Sequence, residues 1–117
     1  MIVLFFLLSL ISSPFTATGE EVQTYDVIIA ANVFKFDPDK LTIKVGDTVR
    51  WSNRDERKHV LASVPGSGRT DDLEIFSDEF HPGTIYSHTF KERGQYPYFC
   101  FIHNKMTGLI IVNEREK

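Results

Sequence analysis

Short apolar runs separated by turn residues follow one another along most of this chain. Runs such as LTIKV (41–45) and TIYSHTF (84–90) alternate apolar and polar residues with a period of two, which is typical of half-buried β-strands. QYPYFC (95–100) and GLIIVN (108–113) are the last two β-prone runs. After the N-terminal segment, no stretch spaces its apolar residues with the period of an α-helix. The pattern predicts one all-β domain, a sandwich of seven to eight strands.

The first 19 residues differ from the remainder of the chain. MIVLFFLLSLI (1–11) is apolar, and Ala17 and Gly19 provide the small residues that precede a signal-peptidase cleavage point. We therefore predict a signal peptide at 1–19 and a mature domain at 20–117 that is secreted, without stable membrane insertion after cleavage. An uncleaved anchor is the alternative, because no Lys or Arg precedes the apolar run, although a membrane span needs about 20 residues.

Charge and cysteine content exclude several classes of function. The formal net charge is −3. This mild negative charge argues against binding to nucleic acid, because nucleic-acid-binding proteins contact the phosphates through clustered Lys and Arg. The chain has one cysteine and therefore no internal disulfide. In an exported protein such a cysteine is exposed, buried or bound to a metal. No catalytic triad order or phosphate-binding loop stands out, so we do not expect an enzyme.

The single cysteine begins a C-x2-H-x2-M motif made by Cys100, His103 and Met106, and a further histidine, His59, follows the charged segment 54–58. Thiolate is a soft ligand, and two His, one Cys and a distant Met suit a copper electron-transfer site. A thioether is a poor ligand for zinc, and haem attachment requires a C-x-x-C-H motif, which this sequence lacks. Alone, Cys100 is more often a small buried apolar residue, so the prediction depends on all four residues together.

The order of these segments resembles that of a known family. FKFDPDKLTIKVGDTVRWSNRD (34–55), His59, PGTIYSHTFKERGQYPYFC (82–100) and HNKMTGLIIV (103–112) resemble the single-domain cupredoxins, the blue copper proteins of the plastocyanin/amicyanin type. The resemblance implies a cupredoxin-like Greek-key β-sandwich. It implies one copper per chain that alternates between Cu(I) and Cu(II), with the metal ligands His59, Cys100, His103 and Met106.

The same resemblance implies a function and a location. The expected function is one-electron transport by a soluble monomer between a donor and an acceptor redox protein, in the periplasm or another extracytoplasmic space. A periplasmic copper-binding carrier is the alternative. The ring edge of His103 is expected at the surface, within an apolar docking patch. The candidates for this patch are Phe36, Pro82, Phe101 and Ile102.

Other polar residues are expected around the site or at the surface. Asn53 is expected to brace the loops of the site through hydrogen bonds, as in the family. His88 is expected on a strand edge, and His81 is a reserve ligand candidate. An acidic cluster is interpreted as a solvated loop, with a docking face for a basic redox partner as the alternative. Its members are Asp71, Asp72, Glu74, Asp78 and Glu79.

Overall fold

The computed structural model describes residues 21–64 and 74–116, so the predicted signal peptide, Asp71 and Asp72 lie outside the described residues. The described part contains seven strands and no helix. They are β1 (Thr24–Ile29), β2 (Lys40–Lys44), β3 (Thr48–Asn53), β4 (Leu61–Ser63), β5 (Ile85–Thr89), β6 (Gly94–Cys100) and β7 (His103–Asn113). One sheet has the order β1-β3-β5 and the other the order β2-β7-β6-β4. This architecture confirms the predicted all-β sandwich.

Both sheets mix parallel and antiparallel pairs. β1 runs parallel to β3 and β2 runs parallel to β7, whereas the other neighbours are antiparallel. β1 and β3 can run parallel because the chain between them passes through the other sheet as β2, which provides the crossover connection that parallel neighbours need. Within the described ranges, no helix is long and apolar enough to cross a membrane.

The β6–β7 hairpin determines the geometry of the C-x2-H motif. Its last residue pair is Cys100 with His103, which leaves Phe101 and Ile102 as a two-residue turn. β7 therefore begins at His103 and is longer than the strand at 108–113 that alternation predicts. The turn places the third residue after Cys100 directly opposite it, so the spacing in the motif follows from the hairpin.

The core between the sheets comes from inward-facing strand positions. Val49, Trp51 and Asn53 are buried along β3 and alternate with exposed or half-buried neighbours, as a period of two requires. The indole N–H of Trp51 donates to the Tyr98 hydroxyl at 3.0 Å, and the Tyr98 ring packs on Phe36 with centroids 4.7 Å apart. Burial of these rings stabilises the sandwich, and the hydrogen bond satisfies the indole N–H.

Candidate metal centre

Three donor atoms converge beside the β6–β7 turn. The sulfur of Cys100 lies 3.4 Å from Nδ1 of His103 and 3.5 Å from Nδ1 of His59, and the two nitrogens are 3.2 Å apart. His59 and Cys100 are fully buried, and His103 is partly exposed. We call these three residues the donor cluster. In the part of the chain that the structure describes, no other group of three or more His, Cys, Asp or Glu side chains is close enough together to hold a metal ion.

Backbone and side-chain hydrogen bonds fix His59 in place. Its N–H donates to the carbonyl of Phe80 at 3.0 Å, and the N–H of Phe80 donates back at 2.9 Å. The amide of Asn53 donates to the carbonyls of Arg57 and Phe80, both at 2.9 Å. Asn53 therefore connects the segment before His59 to the segment that pairs with it, which confirms the predicted bracing role.

Asp55 is a buried residue of the site that the sequence analysis missed. Its Oδ2 lies 3.0 Å from Nε2 of His59, and its Oδ1 accepts from the N–H groups of Asn32 at 3.1 Å and Glu56 at 2.8 Å. Burial favours a higher pKa for Asp55, but these hydrogen bonds outweigh it and hold the pKa below its ordinary value. Asp55 is therefore a carboxylate at neutral pH.

The carboxylate determines which nitrogen of His59 carries the proton. Burial, together with repulsion from His103 and Arg57, lowers the pKa of His59, although Asp55 opposes the shift. The ring is therefore neutral at neutral pH. A carboxylate only accepts hydrogen bonds, so the single ring proton lies on Nε2. The electron pair of Nδ1 then faces Cys100 and His103, which is the orientation that a metal ligand requires.

Met106 is buried near His103. It is 1% exposed and belongs to the inward-facing series of β7 that continues at Ile110 and Val112. Met106 also lines a surface pocket of about 380 Å³ together with Phe34, Ile102, His103 and Lys105. Since the same alternation would bury a core methionine, the role of Met106 as fourth ligand stays a prediction.

The other two histidines lie outside the cluster. His81 is exposed, with Nε2 3.6 Å from Glu79, and Nε2 of His88 lies 2.7 Å from Glu74. Glu79 also pairs with Lys58 at 3.1 Å. Two members of the acidic cluster thus have cationic or imidazole partners within the chain, and its role in docking stays a prediction.

The apolar surface near the cluster differs from the predicted patch in one residue. Phe101 and Ile102 are 63% and 51% exposed, as a docking patch requires, and Pro82 is exposed. Phe36 is only 1% exposed, because its ring packs on Tyr98 in the core, so its assignment to the patch is wrong. Phe34, two residues earlier, is exposed and contacts His103 instead.

The separations within the cluster fit a metal ion. Metal–ligand bonds of about 2.0–2.3 Å in a trigonal arrangement place their donor atoms about 3.5 Å apart. Three donor atoms at 3.2–3.5 Å from one another have room for a proton or a cation among them. One thiolate and two imidazoles match the preference of copper in electron-transfer sites.

Comparison with known proteins agrees with this chemistry. The sequence model of the family described as copper binding proteins, plastocyanin/azurin family, matches residues 23–113, so the chain belongs to this family. Amicyanin from Paracoccus denitrificans is 33% identical over 100 residues, covering 86% of this chain and 73% of the relative. Chloroplastic plastocyanin from Tetradesmus obliquus is 35% identical over 113 residues, covering 82% and 78%.

Solved structures resemble the fold as well. A reduced-state amicyanin mutant superposes with a TM-score of 0.69 at 33% identity, covering 77% of this chain and 82% of its own. A purple cupredoxin from Nitrosopumilus maritimus has a TM-score of 0.65 at 30% identity, covering 80% of this chain and all of its own. The family and the donor cluster together define a protein with one copper per chain.

Proposed function

We propose that this chain is a type 1 blue copper protein that carries one electron at a time between larger redox proteins. The observation that carries the proposal is the convergence of one sulfur and two imidazole nitrogens within 3.5 Å of one another. Two His and one Cys form the trigonal ligand set of blue copper sites, and a methionine adds a weak axial ligand. We assign His59, Cys100 and His103 as the strong ligands and Met106 as the weak one.

Bound copper supplies the redox chemistry by alternating between Cu(I) and Cu(II), and the residues around it limit how much moves in each cycle. Asp55 and the backbone of Phe80 hold His59, and the β6–β7 hairpin holds Cys100 and His103. Ligands held in this way keep nearly the same positions in both oxidation states, so little reorganisation accompanies the transfer. His103 is the partly exposed imidazole and therefore the electron port.

The proposal includes export and redox partners. The apolar run at 1–11 supports a cleaved signal peptide at 1–19, which leaves a monomeric domain at 20–117 outside the cytoplasmic membrane. The donor and acceptor are redox proteins that contact the apolar surface around His103. The proposed electron carrier has no substrate turnover of its own.

A copper carrier is the second candidate, and the rates of two processes separate it from an electron carrier. A carrier releases its metal readily, whereas His59 and Cys100 are fully buried and close the site. We expect the copper-loaded mature chain to exchange electrons with a small redox reagent far faster than it loses Cu(I) to an excess of chelator. Stopped-flow absorption measures both rates. His103→Ala is the control, because it opens one ligand position and should accelerate copper loss.

Copper transfer to the chelator that is as fast as electron exchange would contradict the electron-carrier function and favour the carrier. A wild-type chain that retains copper but exchanges electrons as slowly as it releases the metal would contradict the electron-carrier function without favouring the carrier.

A further inference from the structure

Three side chains form a column from the surface to the donor cluster. The Phe34 ring centroid lies 5.1 Å from that of His103, with the rings inclined at 56°. The guanidinium carbon of Arg57 lies 5.0 Å from the Phe34 centroid. We propose that Phe34 is a positioning residue that holds the His103 imidazole with Nδ1 towards Cys100, and that Arg57 holds Phe34 in turn. This inference rests on the proposed copper function.

The backbone of the Phe34 loop is in an unfavourable conformation. Asn32 and Phe34 have φ angles of 63° and 57°, in the left-handed region. Asparagine tolerates this region, but a bulky aromatic residue seldom adopts it. Surrounding contacts must therefore maintain the conformation at Phe34, and such outliers concentrate at functional sites. The ring is 37% exposed, so core burial is not its main contribution.

Arg57 connects this loop to the buried carboxylate of the site. Its Nη1 donates to Oδ1 of Asn32 at 3.0 Å and lies 3.3 Å from Oδ1 of Asp55. The N–H of Asn32 donates to the same carboxylate oxygen at 3.1 Å. The other oxygen of Asp55 contacts His59. One carboxylate therefore orients His59 directly and supports the loop that carries Phe34.

The two imidazoles obtain their orientation in different ways. His59 has the carboxylate of Asp55 on Nε2. Apart from the contacts that its Nδ1 makes with Cys100 and His59, the His103 imidazole has ring contacts, with Phe34 and with His59 at 4.8 Å. The Phe34 ring restricts rotation of the more exposed imidazole and shields it from water. An aromatic pair of this kind corresponds to about a two- to tenfold effect on an equilibrium or a rate.

The test compares Phe34→Leu, which removes the ring, with Phe34→Tyr, which keeps it. In the metal-free mature chain, we expect Phe34→Leu to shift the NMR resonances of the His103 ring, because the neighbouring ring current is lost. In the copper-loaded chain, we expect about two- to tenfold faster release of Cu(I) to a chelator and a changed reduction potential. Phe34→Tyr should keep the wild-type His103 resonances, Cu(I) release rate and reduction potential. Phe76→Leu is the matched control. Phe76 is 45% exposed and lies in the chain between β4 and β5, and neither strand contains one of the three donor residues.

Unchanged His103 resonances and an unchanged release rate in Phe34→Leu would overturn the proposal, as would a Phe34→Tyr chain that behaves like Phe34→Leu. Arg57→Gln should move the same readouts in the same direction. If the wild-type chain formed no copper–thiolate site, the proposed function would fail separately. The resonances of the metal-free chain would still show whether the Phe34 ring lies against His103.

Discussion

Replacing Asp55 with asparagine is expected to lower the affinity for copper by about 10- to 100-fold while the chain stays folded. The amide keeps the shape of the carboxylate, and its oxygen can still accept from the N–H groups of Asn32 and Glu56. Its NH₂ group then faces Nε2 of His59, which has to accept a hydrogen bond. The ring proton moves to Nδ1 and blocks the electron pair that a metal would bind.

A competition titration against a copper chelator of known affinity measures this effect, and circular dichroism checks the fold. Asp26→Asn is the matched control. It makes the same substitution at a carboxylate whose partner is Arg50 at 2.9 Å on the exposed surface. We expect wild-type affinity for Asp26→Asn. Wild-type affinity for Asp55→Asn would mean that Asp55 does not determine the tautomer of His59.

Replacing Gly108 with alanine is expected to produce the largest loss of stability among single-methyl additions to the described glycines. An added Cβ would lie 2.4 Å from Cζ and 2.6 Å from the hydroxyl oxygen of Tyr98. The Tyr98 ring is buried between Phe36 and Trp51 and is hydrogen-bonded to Trp51, so it cannot move aside. We expect a loss of about 3 kcal/mol in the free energy of unfolding, at the upper end for overpacked cores.

Urea unfolding followed by the fluorescence of Trp51, the single tryptophan, measures the loss. In a domain of this size each kcal/mol lowers the melting temperature by about 4–8 °C, so a thermal scan gives a second readout. Thr107→Ser, at the exposed neighbouring position of β7, should leave the urea midpoint near that of the wild type. An unchanged midpoint in Gly108→Ala would mean that Tyr98 does not pack against Gly108.

The strands that face both core and solvent could be predicted from the sequence. β3 and β5 have one face towards the core and one outward, so their residues alternate and the pattern is visible. The first half of β7 was not predictable in this way. Residues 103–107 read HNKMT and contain one apolar side chain. Pairing with β6 holds the two ends of this stretch, Thr107 opposite Phe99 and His103 opposite Cys100, with a register shift between the two pairs, and local periodicity does not report such contacts.

The donor cluster was partly predictable for a similar reason. Cys100 and His103 are three residues apart, and a two-residue turn is enough to bring them together. His59 is separated from them by about 40 residues, and only the order of segments shared with the family indicated it. Asp55 lies in the charged run at 54–58, where an acidic residue is usually solvated. Its burial depends on the tertiary fold, so the run gave no signal of it.

The two phenylalanines near the site show where alternation fails. Phe34 and Phe36 are two residues apart, and in a regular strand they would face the same side. The left-handed backbone at Phe34 breaks this regularity, so Phe36 enters the core and Phe34 lies on His103. The sequence pattern could not distinguish the two, because a left-handed backbone at a phenylalanine leaves no signal in the alternation of apolar and polar residues.

A visible absorption spectrum of residues 20–117 after addition of Cu(II), repeated with Cys100→Ala, shows whether the Cys100 thiolate binds copper. We expect an intense blue charge-transfer band in the wild type, because the Cys100 thiolate binds copper with the imidazoles of His59 and His103. The band should be absent in Cys100→Ala. A wild-type spectrum without this band, or a band that persists in Cys100→Ala, would contradict the assignment of these residues as a blue copper site.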